Sequence, residues 1–469
     1  MSFKPLLSAI VGAAITLPLW AADGTAPMGF TEARSLLHAR ADIMRADNAE
    51  IARAEAEAEA ARSLSGPKVD LNTMQVWGTK TIDLDMHTGL GQLAPILGPS
   101  NPGLGAVAQK FDHIRIHEKT ELDGPRASIN AIWPIYTGGL ISAQQDQLRH
   151  HVTETRADRD IRENTLDAEL AAKYWGVQLA RSIENLRADV LADEEESLRQ
   201  AQQFEAKGLI SKIERMSVQV SRDTARREWV AAGTGARVAE TELMRMLREN
   251  SLGGLDTPLF ILQGDLGTLS EWQQKAEAQS PVLQKMNALK ARAHEGVNAA
   301  EASFKPTVYA FGTKNLIKHY LTLPEADWMA GIGVRFTLWD NRDRTARLRA
   351  ADSLVSKASA ARDEAQNSIA SAIEVAFMRV TQAREEFDLT ASTVELAREN
   401  LRLRTKSFAE GLSTSTDVDT ARTQLTGAEI ARRAAAYKFV VSWAMLHATA
   451  GVMPSFVDSL NRPDLIPVH

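Results

Sequence analysis

The sequence repeats itself over most of its length, and this duplication limits the folds open to the chain. Aromatic, apolar and glycine positions of one half recur 203 positions later in the other half. Farther upstream the shift grows to 239, so the first half carries 36 additional residues. The aligned pairs include Pro67 with Pro306, Trp133 with Phe336, Tyr174 with Phe377, Val177 with Val380, and Gly208-Leu209 with Gly411-Leu412. The fold must therefore contain two similar sets of elements.

Each half predicts the same order of elements: helix, strand, strand, long helix, helix. The first repeat, residues 22–255, has predicted helices at 31–63, 140–206 and 211–250 and predicted strands at 68–79 and 128–136. The second repeat, residues 256–469, has predicted helices at 270–303, 343–409 and 414–450 and predicted strands at 306–314 and 328–339. The insertion 80–127 is punctuated by Gly and Pro, which predicts a loop, on the extracellular side.

The long helices have the apolar spacing of packed coiled-coil helices. Apolar and small residues from Ile369 to Leu401 alternate steps of four and three, which gives a period of about 3.5 residues. The segment from Leu140 to Ala206 would extend ~100 Å at ~1.5 Å per residue. A structural coiled-coil protein of the cell envelope would account for these helices, but it would not account for the strands.

The strand at 328–339 alternates apolar residues with small or polar ones, as strands of a membrane barrel do. Its predicted lipid-facing residues are Trp328, Ile332, Val334 and Phe336, and Gly331, Gly333 and Arg335 would face a pore. Four strands cannot enclose a pore, because even an eight-stranded barrel is filled by side chains. Lipid also does not tolerate unpaired strand edges. Several chains would therefore share one barrel; a soluble sandwich of half-buried strands is the alternative.

The N-terminus has the features of a secretory signal peptide, predicted to cover residues 1–21. Lys4 precedes an apolar run from Leu6 to Leu19, and Ala21 and Ala22 are small residues suited to cleavage. The run is too short for a transmembrane helix, which needs ~20 apolar residues. An exported chain without a spanning helix would cross a membrane only as a closed barrel.

Composition and motifs exclude several function classes. The chain has no Cys, which excludes a disulfide scaffold and a thiol nucleophile, and its net charge of -6 argues against nucleic-acid binding. A mean hydropathy of -0.23 is too low for a polytopic helical membrane protein. Without a P-loop, GxSxG or HExxH motif, no enzyme, catalytic residue, cofactor or metal is predicted. His113 and His117 are interpreted as a solvated loop pair, because further metal ligands are not evident nearby.

This layout resembles the TolC-like outer-membrane efflux proteins of Gram-negative bacteria. The motif Trp133-Pro-Ile-Tyr-Thr-Gly-Gly139, leading directly into a helix, is similar to the exit of that family's chain from the barrel. Its partner begins at Phe336, and here Asn341-Arg342 replaces Gly-Gly, which departs from the family pattern. The Gly-Leu turns are the other shared feature. The resemblance covers nearly all of the chain after the predicted signal peptide.

The resemblance implies a mainly α fold with a transmembrane β-barrel portion. Three chains would form a homotrimer with a 12-stranded barrel in the cell outer membrane, continued by an α-helical barrel across the periplasm. The expected function is the passive exit channel of a tripartite efflux or export system, without a cofactor. The implied partners are a periplasmic adaptor (membrane fusion) protein, an inner-membrane transporter and outer-membrane lipid. Type I protein secretion is an alternative that the sequence does not separate from small-molecule efflux.

The candidate site residues cluster around the two Gly-Leu turns. The resemblance implies that Gly208, Leu209, Gly411 and Leu412 contact the adaptor, although a turn glycine also suits a plain helix end. Glu214 and Asp417 each lie six positions after a turn glycine. Ser211-x-x-Glu214 and Thr414-x-x-Asp417 match helix capping boxes. In the related family, acidic residues near these turns constrict the periplasmic entrance, so both carboxylates are gate candidates as well as cap candidates.

Overall fold

Long α-helices dominate the part of the chain that the computed structural model describes, residues 27–317, 326–339 and 343–468. The helices are α1 (Phe30–Arg40), α2 (Asp42–Arg62), α3 (Ala94–Leu97), α4 (Pro102–Lys110), α5 (Leu140–Ala206), α6 (Lys212–Leu247), α7 (Leu269–Gln279), α8 (Pro281–Ala302), α9 (Arg344–Ala409), α10 (Ser415–Ala450) and α11 (Met453–Ser459). Among these described helices, none combines the length and the apolar character needed to cross a lipid bilayer. The predicted signal peptide and Asn341-Arg342 lie outside the described residues.

Within the described residues, the strands form two antiparallel sheets. The strands are β1 (Lys68–His87), β2 (His113–Tyr136), β3 (Leu259–Leu262), β4 (Thr307–Asn315), β5 (Trp328–Arg335) and β6 (Leu465–Val468). The larger sheet has the order β1-β2-β4-β5, and the smaller one pairs β3 with β6. In the larger sheet, the strands that the two repeats predict lie side by side, and β1 and β5 are its edges.

The first two strands are much longer than the sequence analysis predicted. The insertion 80–127 was expected to be a loop, but β1 continues to His87 and β2 already begins at His113. The two strands are paired without a break from Lys68 opposite Ile132 to His87 opposite His113. Only residues 88–112, with α3 and α4, connect them. In contrast, β5 ends at Arg335, four residues before the predicted strand end.

Two helices that were predicted to be continuous are each broken once. The first is divided into α1 and α2 at Ala41, and the second into α7 and α8 at Ser280; both residues have extended backbone. Pro281 explains the second break, because proline has no N–H to donate and disfavours helical backbone in the residue before it. Nothing in the residue type of Ala41 explains the first.

The chain divides into two compact units, and each unit takes segments from both repeats. One unit comprises the described parts of residues 1–52, 153–288 and 360–469. Its hydrophobic core contains an aromatic cluster in which the rings of Phe30 and Trp175 stack at 4.6 Å. The polar atoms of this cluster are bonded: Trp175 Nε1 donates to the Pro258 carbonyl at 2.9 Å, and Tyr174 Oη donates to the Met28 carbonyl at 2.7 Å. The core therefore joins segments that are far apart in sequence.

The other unit, residues 53–152 and 289–359, contains the larger sheet. The Gly138-Gly139 pair after β2 has left-handed backbone, with φ of 68° and 96°. A Cβ atom on Gly138 would lie 2.9 Å from Lys305 Cβ and 3.0 Å from the Ala302 carbonyl oxygen. Glycine is thus required at 138 both by conformation and by the close approach of the chain. These two residues turn the chain from β2 directly into α5.

Candidate functional site

The two Gly-Leu turns have the same geometry in both repeats. Gly208 and Gly411 adopt left-handed φ values of 71° and 73°. The backbone N–H of Leu209 donates to the Phe204 carbonyl at 2.8 Å, and that of Leu412 donates to the Ser407 carbonyl at 2.9 Å; each acceptor lies five residues earlier in the chain. This is the Schellman arrangement that ends an α-helix. Both leucine side chains are exposed, 67% and 78% respectively, so each turn presents an apolar group to its surroundings.

The two helices that follow the turns are capped differently. At α10, Thr414 and Asp417 form a complete capping box, and Asp417 Oδ2 also accepts a hydrogen bond from Ser413 Oγ at 3.0 Å. Hydrogen bonds from the Thr414 backbone and side chain, and from Ser413, hold the pKa of the Asp417 carboxyl below its ordinary value. At α6, Ser211 Oγ accepts from the Glu214 N–H at 3.2 Å, and no bond from the Glu214 carboxylate completes a box. Glu214 is therefore less committed to capping than Asp417.

A cavity of about 110 Å³ lies among α5, α6, α9 and α10 near these turns. Glu214 lines it, together with an ion pair between the buried Glu194 of α5 and the half-buried Arg422 of α10. Beside this pair, Ser221 Oγ donates to Asp419 Oδ2 at 3.0 Å. Burial raises the pKa of the Glu194 carboxyl, with the Arg422 guanidinium opposing the shift and the Asp419 charge adding to it. The cavity thus combines charged groups of both repeats.

The sequence analysis did not identify the Glu194–Arg422 pair. Glu194 is 3% exposed, so removing its partner alone would leave an uncompensated buried charge, which is strongly destabilising. The sequence shows a carboxylate at 194 and a guanidinium at 422 on helices with regular apolar spacing, which does not by itself predict that the two side chains pair. Their pairing depends on contacts between residues 228 positions apart.

The two faces of β5 differ as the alternating pattern indicated. Trp328, Ile332 and Val334 share one face and are 67–71% exposed; Phe336 lies just after the strand and is 52% exposed. On the opposite face, the rings of Phe311 and Tyr309 cover Gly331 and Gly333. A Cβ atom on Gly333 would lie 2.6 Å from Tyr309 Cζ, so any larger residue there must displace this ring. The exposed apolar face is continuous along the strand.

Histidine and carboxylate side chains also meet outside these surfaces. His113 and His117 do not form a pair with each other: His117 Nδ1 contacts Asp83, whereas the His113 ring stacks on His87 at 4.5 Å. In the other unit, Asp167 is fully buried and accepts hydrogen bonds from Arg34 Nε at 2.8 Å and from His38 Nε2 at 2.6 Å. This second cluster is a structural ion-pair network, because a guanidinium already neutralises its buried carboxylate.

The second half of the chain matches a known protein family. Residues 272–452 match the family model described as outer membrane efflux protein. This segment contains β4, β5, α9 and α10. A search among curated proteins found no sequence match.

Solved structures of outer-membrane proteins share the fold over most of the chain. The outer membrane protein VceC of Vibrio cholerae is 13% identical, with a TM-score of 0.69, 90% of this chain covered and 96% of that one. The Campylobacter jejuni outer membrane channel CmeC is 12% identical, with a TM-score of 0.69 and 96% and 94% covered. The Neisseria gonorrhoeae outer membrane channel MtrE is 15% identical, with a TM-score of 0.67 and 90% and 89% covered. At these identities, the likeness concerns the fold.

The family match and the fold agree with each other and with the prediction from sequence. The mainly helical fold that the sequence predicted is confirmed in its coarse form. The match of residues 272–452 to this family agrees with the predicted location in the cell outer membrane and with a role in transport. The predicted resemblance is therefore confirmed: residues 272–452 match the outer membrane efflux protein family, and most of the chain has the fold of solved outer-membrane channels.

Proposed function

We propose that three copies of this chain form an outer-membrane channel that is the passive exit duct of a tripartite efflux or export system. In this proposal, each chain gives four strands to a 12-stranded barrel, and its long helices contribute to an α-helical barrel in the periplasm. A periplasmic adaptor protein and an inner-membrane transporter complete the system. The two repeats, residues 22–255 and 256–469, supply equivalent parts of the assembly after removal of a signal peptide at residues 1–21.

The observation that carries the proposal is the four-stranded sheet with an exposed apolar face. Its edges, β1 and β5, have backbone groups that a neighbouring strand could pair. Large apolar side chains of β5 are exposed on one face, and placing that face in lipid would remove them from water. In lipid, however, open edges are not tolerated, so β1 of one chain would pair with β5 of the next. Repetition of this contact closes the barrel.

The turn surfaces fit the two other parts of the proposed function. The exposed Leu209 and Leu412 beside Gly208 and Gly411 form the proposed adaptor contacts. In a trimer, Glu214 and Asp417 would supply six carboxylates around the proposed periplasmic entrance. Glu214 supports the gate proposal more strongly, because Asp417 is engaged in its capping box. On β5, Trp328, Ile332, Val334 and Phe336 are the proposed lipid contacts.

The proposal is tested on protein extracted from outer membranes in detergent. Native mass spectrometry should give a complex of three chains, and the same material should form conducting pores in planar bilayers. A monomer found in the soluble periplasmic fraction would instead support a structural coiled-coil protein. To separate small-molecule efflux from type I protein secretion, a deletion strain should be compared with its parent for dye accumulation and for secreted proteins.

A further inference from the structure

The end of the long β1–β2 hairpin brings together two histidines and an aspartate. His87 is the last residue of β1, His113 is the first of β2, and the two are opposite one another in the register. Asp112 directly precedes β2. His87 Nδ1 lies 3.5 Å from Asp112 Oδ2, and His113 Nε2 lies 3.9 Å from the same oxygen. One ligand atom from each of the three residues lies within 4.8 Å of the other two.

The carboxylate of this cluster is held in place by the backbone. Asp112 Oδ1 accepts a hydrogen bond from the Gly91 N–H at 2.7 Å, which leaves Oδ2 directed at the histidines. Residue 91 must be small for this contact, since a Cβ atom there would lie 2.4 Å from Asp112 Cγ. The Asp112 carbonyl in turn accepts from the Thr88 N–H at 2.8 Å. Such outer contacts orient a ligand carboxylate before a metal arrives.

We propose that His87, Asp112 and His113 bind one divalent transition-metal ion of the zinc, copper and nickel class. Imidazole and carboxylate together suit these ions, whereas Mg²⁺ and Ca²⁺ prefer oxygen ligands alone. A tetrahedral zinc ion with bonds of ~2.0–2.1 Å separates its ligand atoms by about 3.4 Å. The distances from Asp112 Oδ2 are near this value already. Both imidazoles are more than half exposed, so small rotations can bring them together.

The bound ion would join His87, the last residue of β1, to His113, the first residue of β2, and to Asp112 directly before it. It would thus fasten the hairpin at the end where residues 88–112 leave the sheet. Three protein ligands leave at least one position open to water or another ligand. The sequence analysis predicted no metal because it considered His113 with His117. The ligand that completes the site lies on the opposite strand, and only the hairpin register brings it close.

The test is zinc binding to the untagged full-length protein in detergent, stripped with chelator and titrated with ZnCl₂ by calorimetry. We expect one zinc ion per chain. His113→Asn and Asp112→Asn should each weaken binding by about tenfold or more, and Gly91→Ala should weaken it by displacing Asp112. The matched control is His117→Asn, which removes an equally exposed histidine of the same strand and should leave affinity unchanged.

Cobalt binding gives a second test, by visible absorption, that does not rely on calorimetry. Co²⁺ in the wild-type site should show the visible absorption of a low-coordinate complex, and this absorption should be lost in His113→Asn. Circular dichroism confirms that each variant keeps its fold. Zinc binding that is equal in wild type, His113→Asn and Asp112→Asn would overturn the proposal. Absence of zinc binding to the wild type, or equal losses in His117→Asn and His113→Asn, would overturn it as well.

Discussion

His447 is an ionisable residue buried among aromatic rings of α10 and its neighbours. Its ring lies 4.8 Å from that of Trp272 and 5.7 Å from that of Phe456, and Nδ1 lies 2.8 Å from the Trp443 carbonyl oxygen. Burial lowers the pKa of His447 from 6.5 to about 4. Between pH 6.5 and about 4, the ring is therefore neutral in the folded chain but protonated in the unfolded chain. This stabilising contribution is complete above pH 6.5 and is lost progressively as the pH falls toward 4.

Replacing His447 should remove this part of the pH dependence. At pH 5 the neutral ring costs the wild type about 2 kcal/mol of folding free energy relative to pH 7. His447→Phe retains an aromatic ring of similar shape but does not titrate. Urea unfolding followed by circular dichroism at both pH values measures the difference for each protein. The decrease on acidification should be smaller in the variant; equal decreases would show that other groups cause it.

At the scale of single elements, β5 allows a matched test of its two faces. Ile332 is on the apolar face and Met329 is on the opposite face, which also carries Arg335. If the apolar face contacts lipid, Ile332→Arg costs about 2–4 kcal/mol per chain near the bilayer midplane. Met329→Arg introduces the same charge toward the proposed pore and should be mild. Heat-modifiable gel mobility of outer-membrane fractions measures the yield of assembled protein, and equal yields would contradict the assignment.

The elements that the sequence predicted well are those specified by local patterns. The long helices follow from their apolar period, and the turn at Gly208 from its position at a helix end. The end of β1 and the start of β2 were missed because Gly and Pro between 89 and 105 were given more weight in predicting a loop. Apolar and polar residues continue to alternate around Asp83 and His117, and that pattern predicts strands. Contacts between residues far apart in sequence have no such local pattern. Neither the β3–β6 pairing nor the Glu194–Arg422 ion pair could therefore be predicted from the residues around each partner.

At the scale of the whole assembly, the exposed turn leucines should matter for export but not for folding. Leu209→Asp combined with Leu412→Asp replaces two exposed apolar groups with charges, and leaves both left-handed glycines intact. We expect normal amounts of trimer and loss of adaptor binding and export. The control is the pair Leu209→Met and Leu412→Met, which retains apolar side chains and should retain export. Cross-linking to the adaptor measures docking directly. Export at wild-type rates by the aspartate variant would leave the turns with a helix-ending role alone.

The gate proposal concerns three chains at once, and the two carboxylates should respond differently. Glu214→Gln removes three charges from a trimer while keeping hydrogen-bonding capacity, and Ser211 still caps α6. It should lower cation selectivity and block by multivalent cations in planar-bilayer recordings, with unchanged thermal stability.

Asp417→Asn weakens the capping box of α10, so it should also lower thermal stability at neutral pH. Because hydrogen bonds lower the pKa of Asp417, its stabilising effect is present above the ordinary carboxyl pKa and disappears on acidification. The stability difference between Asp417→Asn and wild type should therefore shrink at low pH. If both variants keep wild-type selectivity and block, neither carboxylate lines the conducting path, whatever happens to stability.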